Sequence, residues 1–196
     1  MKLVFATHNE NKVKEVRAIV PSYISLLSLT DIGCHEEIPE TGKTLEENAI
    51  LKANYVTQKF NYPCFADDTG LVVAALNGEP GVLSARYAGE NRDANENMNK
   101  LLDKLTHVEN RQAKFETVIA LNLNNEQFIF TGQVMGEIVE EKSGEKGFGY
   151  DPIFKPNDYA KTFAELPLKV KNKIGHRGKA IRKLIAHLKS LGQIKE

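Results

Sequence analysis

A chain of 196 residues with 41% hydrophobic and 27% charged side chains carries enough apolar material for one packed domain, which excludes the disordered and fibrous classes. Its 26 basic and 26 acidic residues cancel, so no overall field would hold a nucleic acid, and no apolar run reaches the ~20 residues of a membrane span. Cys34 and Cys64 fit neither a disulfide framework nor a paired-cysteine metal site. With no secretory leader at the N-terminus, a cytoplasmic protein with reduced thiols is expected.

In chain order, "KLVFA" reads as a buried strand, and Val13, Val16, Ile19 and Val20 lie on one face of a helix that Pro21 stops. "YISLLSL" is a second strand candidate. Thr44 and Glu47 form a capping box for a helix that continues through Leu45, Ala49, Ala53, Val56 and Phe60 towards Asn61-Tyr62-Pro63. "PCFA" reads as a strand leading into a tight polar turn at Asp67-Asp68-Thr69-Gly70, with a further apolar stretch beyond. A helix is expected around Met98, Leu101, Leu102 and Leu105. "KFETVIALNL" and "QFIFTGQVMGEIV" then flank Asn124-Asn125-Glu126 as an antiparallel hairpin, so the sheet should be mixed. "GFGYDPIF" falls on a loop or strand end before a last helix bearing Ile181, Leu184, Ile185 and Leu188. Helices interleaved with strands and no linker predict a single α/β domain over residues 1–196.

Five stretches could carry chemistry. "THNENK", Thr7 to Lys12, lies where a strand hands over to a helix; either its free N–H groups and Lys12 take an anion, or Thr7 or Asn9 merely caps the helix and Lys12 is solvated. "ADDTG" offers two carboxylates for Mg²⁺ or for activating water, against the plainer reading of a locally bonded turn. Because successive strand side chains alternate, only one of the two acids should serve chemistry. Glu40 in "IPETGKT" is a candidate second metal ligand or a solvated loop acid. Phe148 and Tyr150 in "GFGYDPIF" could stack a base or plug a sheet end, and Lys171, His176 and Arg177 in "KVKNKIGHRGK" could meet an anion or form a solvated basic face. No nucleophile elbow, CxxC or HExxH occurs, so covalent acyl transfer and a zinc site lack support. Phosphate, metal and base remain, a combination that suits a nucleoside triphosphate.

The ordered set "THNENK", "ETGKTLEENAILKA", "FADDTGL", "GVLSARYAG", "GFGYDPIF" and "KNKIGHRGKA" resembles the inosine/xanthosine triphosphate pyrophosphatase family over nearly the whole chain. The resemblance implies an elongated, mixed, twisted β-sheet flanked by helices, two lobes around a substrate cleft, a homodimer, and Mg²⁺-dependent hydrolysis of ITP, dITP and XTP to the monophosphate and pyrophosphate. By motif, Thr7, Asn9 and Lys12, with His8, Glu10 and Asn11 between them, would form the triphosphate loop, joined by Lys52. Glu40 and Asp68 match the Mg²⁺ ligands, and Asp68 also the proton acceptor for water. Thr69, Phe148, Gly149, Tyr150, Asp151, Lys171, His176 and Arg177 match substrate contacts. The chain departs from the pattern in three places: Thr69 replaces a common serine, His8 stands where glycine is common, and the segment Leu168-Lys169-Val170 replaces a more acidic approach to Lys171. A Maf-type nucleotide pyrophosphatase, a nucleotide-sensing module and a single-stranded RNA binder are the rival readings. The last would need an extended basic groove, where the sequence offers a local cluster.

Overall fold

A computed structural model describes residues 1–192. Seven strands form one mixed sheet. β1 (Lys2–Phe5) pairs in parallel with β2 (Ser25–Leu27) and with β3 (Cys64–Val73). β4 (Pro80–Gly81) runs antiparallel to β3, and the order continues through β5 (Gln112–Leu123), β6 (Glu126–Ile138) and β7 (Phe154–Pro156). The hairpin joining β5 to β6 turns at Asn124 and Asn125, both left-handed with φ of 52° and 64°, a conformation asparagine tolerates better than other side chains. β7 closes antiparallel on β6. Among the described residues, no helix is long and apolar enough to cross a membrane.

The helices begin and end where local chemistry directs. α1 (Glu10–Arg17) starts at Asn9, whose side chain accepts from the backbone N–H groups of Asn11 and Lys12. It stops short of Ile19 and Val20, which belong to a turn before Pro21. α2 (Leu45–Phe60) carries the expected Thr44/Glu47 capping box and ends on a left-handed Asn61. α3 (Ala94–Lys104) buries Met98 and Leu101. Beyond β7, the sequence reading missed a short helix, α4 (Leu168–Ile174), which Gly175 separates from α5 (His176–Ser190).

The chain divides into two compact units. The first holds Met1–Asp68, Thr117–Gly132 and the chain from His176 onward. Two apolar clusters serve it, one on each face of its strands. Phe5, Phe65, Ile119 and Leu121 pack with α1 and α5, and Val4, Cys64, Ala66 and Ala120 pack with Ala49, Ala53 and Val56 of α2. Phe5 and Phe65 are register partners whose rings stack 4.6 Å apart. α5 lies close on β6 because position 132 is glycine: a Cβ there would stand 2.1 Å from the His176 carbonyl oxygen. The second unit, Thr69–Glu116 with Gln133–Gly175, is organised around Tyr87, Leu101, Phe115, Phe154 and Phe163.

The polar turn expected at Asp67–Gly70 does not exist. β3 passes straight through those residues, because each aspartate finds a buried partner and the flanking apolar residues have a core on either face.

Candidate active site

Alternation along β3 sends Phe65 to the α1/α5 core and Ala66 to the α2 core, and the two aspartates continue that alternation. Asp67 meets α1 and α5. Its Oδ1 accepts from Lys12 Nζ at 2.8 Å and its Oδ2 from Arg177 Nε at 2.9 Å. Arg177 Nη1 donates in turn to Glu15 of α1. Side-chain exposure is 1% for Asp67, 3% for Arg177 and 7% for Glu15, against 14% for Lys12, so the network meets solvent chiefly at the lysine. Burial alone would raise the Asp67 carboxyl, but Lys12, Arg177 and Lys52 outweigh it and hold it well below the usual carboxylate range. Burial lowers the Lys12 ammonium against the pull of Asp67, with Lys52 and Arg177 adding to the lowering. Removing one member would leave a buried charge uncompensated, at a cost of about 3–5 kcal/mol.

Asp68 faces α2. Its Oδ2 accepts from Asn48 Nδ2 at 3.1 Å, and its Oδ1 lies 3.7 Å from Lys52 Nζ. Lys52 also donates to Glu40 Oε1 at 2.6 Å and to the Asp67 carbonyl oxygen at 2.7 Å. Here two carboxylates share one ammonium. Burial pushes the Asp68 carboxyl above its ordinary value, opposed by Lys52 and Lys12 and reinforced by Glu40. For Lys52, burial works against the charge, but Asp68, Glu40 and Asp67 outweigh it and raise the ammonium. Asn48 has a second task, accepting from the Gly42 backbone N–H at 2.8 Å, which ties the loop bearing Glu40 to the helix bearing Lys52.

The described residues contain no group of three or more His, Cys, Asp or Glu side chains able to cage a metal. Mg²⁺ does not need one, because one or two carboxylates plus substrate phosphate oxygens satisfy it. Glu40 and Asp68, close enough to share Lys52, fit that donor set.

"THNENK" turns out to be a capped helix start with an anchored lysine, a combination neither sequence reading described. Asn9 Oδ1 takes the N–H groups of Asn11 and Lys12, Thr7 Oγ1 takes that of Asn9 at 3.1 Å, and Glu10 opens the helix. His8 Nε2 donates to the Glu36 carbonyl at 3.0 Å, so its ring points to the acidic loop and ties the two segments together.

In the second unit, Asp151 accepts from Lys171 and, at 2.8 Å, from the Phe148 backbone N–H. Lys171 Nζ sits 4.8 Å from the Phe148 ring centroid, within cation–π range. Gly147, at φ +77°, must be glycine: a Cβ would lie 2.0 Å from an Asp151 oxygen. The two aromatic residues separate. Phe148 is half-buried, whereas Tyr150 is 5% exposed within the core and donates its hydroxyl to the Ser84 carbonyl at 2.8 Å. Tyr150 therefore fits the plugging reading, while the Phe148 ring keeps part of its surface accessible. Gly149 has a left-handed φ of 62°, and Thr69 is half-buried in β3. His176 is buried in the first unit, at the start of α5.

A family model described as Ham1 family matches residues 3–187. The chain belongs to the Ham1 family. A relative from Flavobacterium johnsoniae, named dITP/XTP pyrophosphatase, is 64% identical over 94% of this chain and 96% of its own length. One of the same name from Bacillus subtilis is 48% identical over 92% and 93%. Among solved structures, the Ham1 protein of Staphylococcus aureus superposes with a TM-score of 0.87 at 42% identity, covering 97% of this chain and 99% of that one. A HAM1 protein from Coxiella burnetii gives 0.89 at 39% identity with the same coverage.

Three polar residues of this Ham1 chain escaped the sequence reading as members of the two networks. Asn48 stands four before Lys52, a polar pair on a helix face otherwise marked by Ala49, Ala53 and Val56. Glu15 is buried beside Val16 on the apolar face of α1. Asp67 was visible as an acid, but its two cationic partners come from α1 and α5, too distant in sequence for spacing to show.

Proposed function

We propose that this chain hydrolyses non-standard purine nucleoside triphosphates (dITP, ITP and XTP) to the monophosphate and pyrophosphate, and so clears them from the cytoplasmic pool before they enter DNA or RNA. The relatives' shared name supports the substrate class. The observation that carries the chemistry is the buried Asp68 carboxylate, whose pKa is raised and which shares Lys52 with Glu40.

A carboxylate of raised pKa is a better proton acceptor, provided it remains ionised at working pH. In this reading Asp68 takes the proton from a water that attacks the α-phosphorus, and pyrophosphate leaves. Lys12 and Lys52 offset the charge of the phosphate oxygens, a task in which position and electrostatics contribute more than covalent chemistry. Asn48 donates to Oδ2 of the Asp68 carboxylate and the Lys52 ammonium lies beside Oδ1, so both oxygens are oriented. Mg²⁺, when bound, would be held by Glu40 and Asp68 and would neutralise charge on the phosphates. Within the second unit taken by itself, the half-buried Phe148 ring offers a face for stacking a base, and Asp151 and Lys171 hold its loop. A homodimer is part of the same proposal.

The test is a nucleotide panel with Mg²⁺ that compares dITP, ITP and XTP with the standard triphosphates and assays pyrophosphate separately from orthophosphate. Preference for the non-standard purines with pyrophosphate as first product is expected. Preference for ATP, or release of orthophosphate first, would overturn the proposal.

A further inference from the structure

We propose that Asp67 is a positioning residue whose two carboxylate oxygens hold two cations in place together, Lys12 for a phosphate and Arg177 behind it. The inference rests on the reading of Lys12 as an anion contact, and it gives the second acid of "ADDTG" a task of its own.

Lys12 and Arg177 come from opposite ends of the chain, and both side chains reach the α1/α5 face of β3. Two cations held this close repel, and their proximity, with that of Lys52, contributes to lowering the Lys12 ammonium. Asp67 sits between them with one oxygen on each, at 2.8 Å and 2.9 Å. Glu15 braces the far side of the guanidinium. Charge in the network reaches solvent chiefly at Lys12, the most exposed of the four. A lysine carries about 2 kcal/mol of rotamer entropy. Fixing that freedom before an anion arrives removes most of this cost from the binding step. A negative charge beside a phosphate grip is otherwise counterproductive; here it keeps the grip assembled.

Binding of pyrophosphate, measured by calorimetry without added metal, reads this arrangement independently of turnover. Asp67→Asn should weaken binding by about ten- to hundredfold, the range produced by losing a charge-assisted hydrogen bond. The same substitution in a Lys12→Gln background should cost no more than about twofold, because the group it positions is gone. A purely structural role predicts losses that add. If Asp67→Asn alone does not fold, the triple variant Glu15→Gln/Asp67→Asn/Arg177→Gln removes the other buried charges together and should show the same loss. Unchanged binding in a folded variant, additive losses with Lys12→Gln, or wild-type protein that binds no pyrophosphate would each overturn the proposal. Coupled losses in a protein that does not hydrolyse dITP would uphold the positioning role and sink the proposed function instead.

Discussion

Asp67 and Asp68 are consecutive residues of one strand with similar burial, yet their surroundings differ in charge. Around Asp67, carboxylates and cations alternate in a chain of ion pairs from Lys12 through Arg177 to Glu15. Around Asp68, two carboxylates answer one lysine, and burial raises the carboxyl. A chain of close ion pairs is suited to holding a shape. A raised carboxyl beside a second acid is suited to receiving a cation or a proton. The difference lies in which helix faces each side of β3, since the two acids are chemically identical.

The largest effect that sharpens this contrast is expected from Asp68→Asn. Turnover of dITP should fall by about 10²- to 10⁴-fold, the usual contribution of a general base, while nucleotide binding is retained. Rates within a few-fold of wild type would remove Asp68 from the mechanism. Next, Glu40→Gln should raise the magnesium concentration for half-maximal rate by at least about tenfold, taking as a guide what weaker perturbations of metal sites cost. An unchanged metal requirement would detach Glu40 from the proposed cation site.

Stability against pH should separate the two acids by sign. Asp67 is depressed in the folded state, so its contribution is present above the ordinary aspartate value of about 3.9 and is lost as pH falls below it. Urea midpoints of the wild type should drop on acidification through that range, and those of Asp67→Asn should drop less. Asp68 is raised, so its favourable contribution is complete at low pH and is lost as pH rises through its folded value. Asp68→Asn should therefore be more stable than wild type at neutral pH, with a gain that shrinks on acidification. The same sign for both acids would dissolve the comparison. The smallest effect is a control far from either face in sequence: Asn125→Ala forces a left-handed alanine at the hairpin, costing about 1 kcal/mol, and should lower the melting temperature without changing kcat or KM.

Much of the fold was legible because it is written locally. The α2 start follows from Thr44 and Glu47, its end from Asn61, and the hairpin from Asn124-Asn125. The strand through Asp67-Asp68 was not, because acids beside Thr69 and Gly70 imitate a turn until the partners from α1, α2 and α5 are seen. α4 was hidden for a related reason. Its seven residues carry three lysines, and Gly175 cuts its pattern off from α5. At the candidate site, the motif residues were individually visible, but their partners were not. Nothing in "THNENK" shows that Lys12 ends on Asp67, and nothing in "GHRGK" shows that Arg177 lies between two acids.

The straight passage of β3 through "ADDTG" makes parity an inherited constraint on this chain. With a side-chain period of two, losing one residue such as Ala66 would turn over everything beyond it in the strand. The aspartate now bound to Lys12 and Arg177 would face Lys52 and Asn48, and its neighbour would face the two cations. Composition would be almost unchanged and both carboxylates would still be there, each on the wrong side. Substitutions can be absorbed one at a time at such a strand, but an odd shift in its length would exchange the duties of its two acids in a single step.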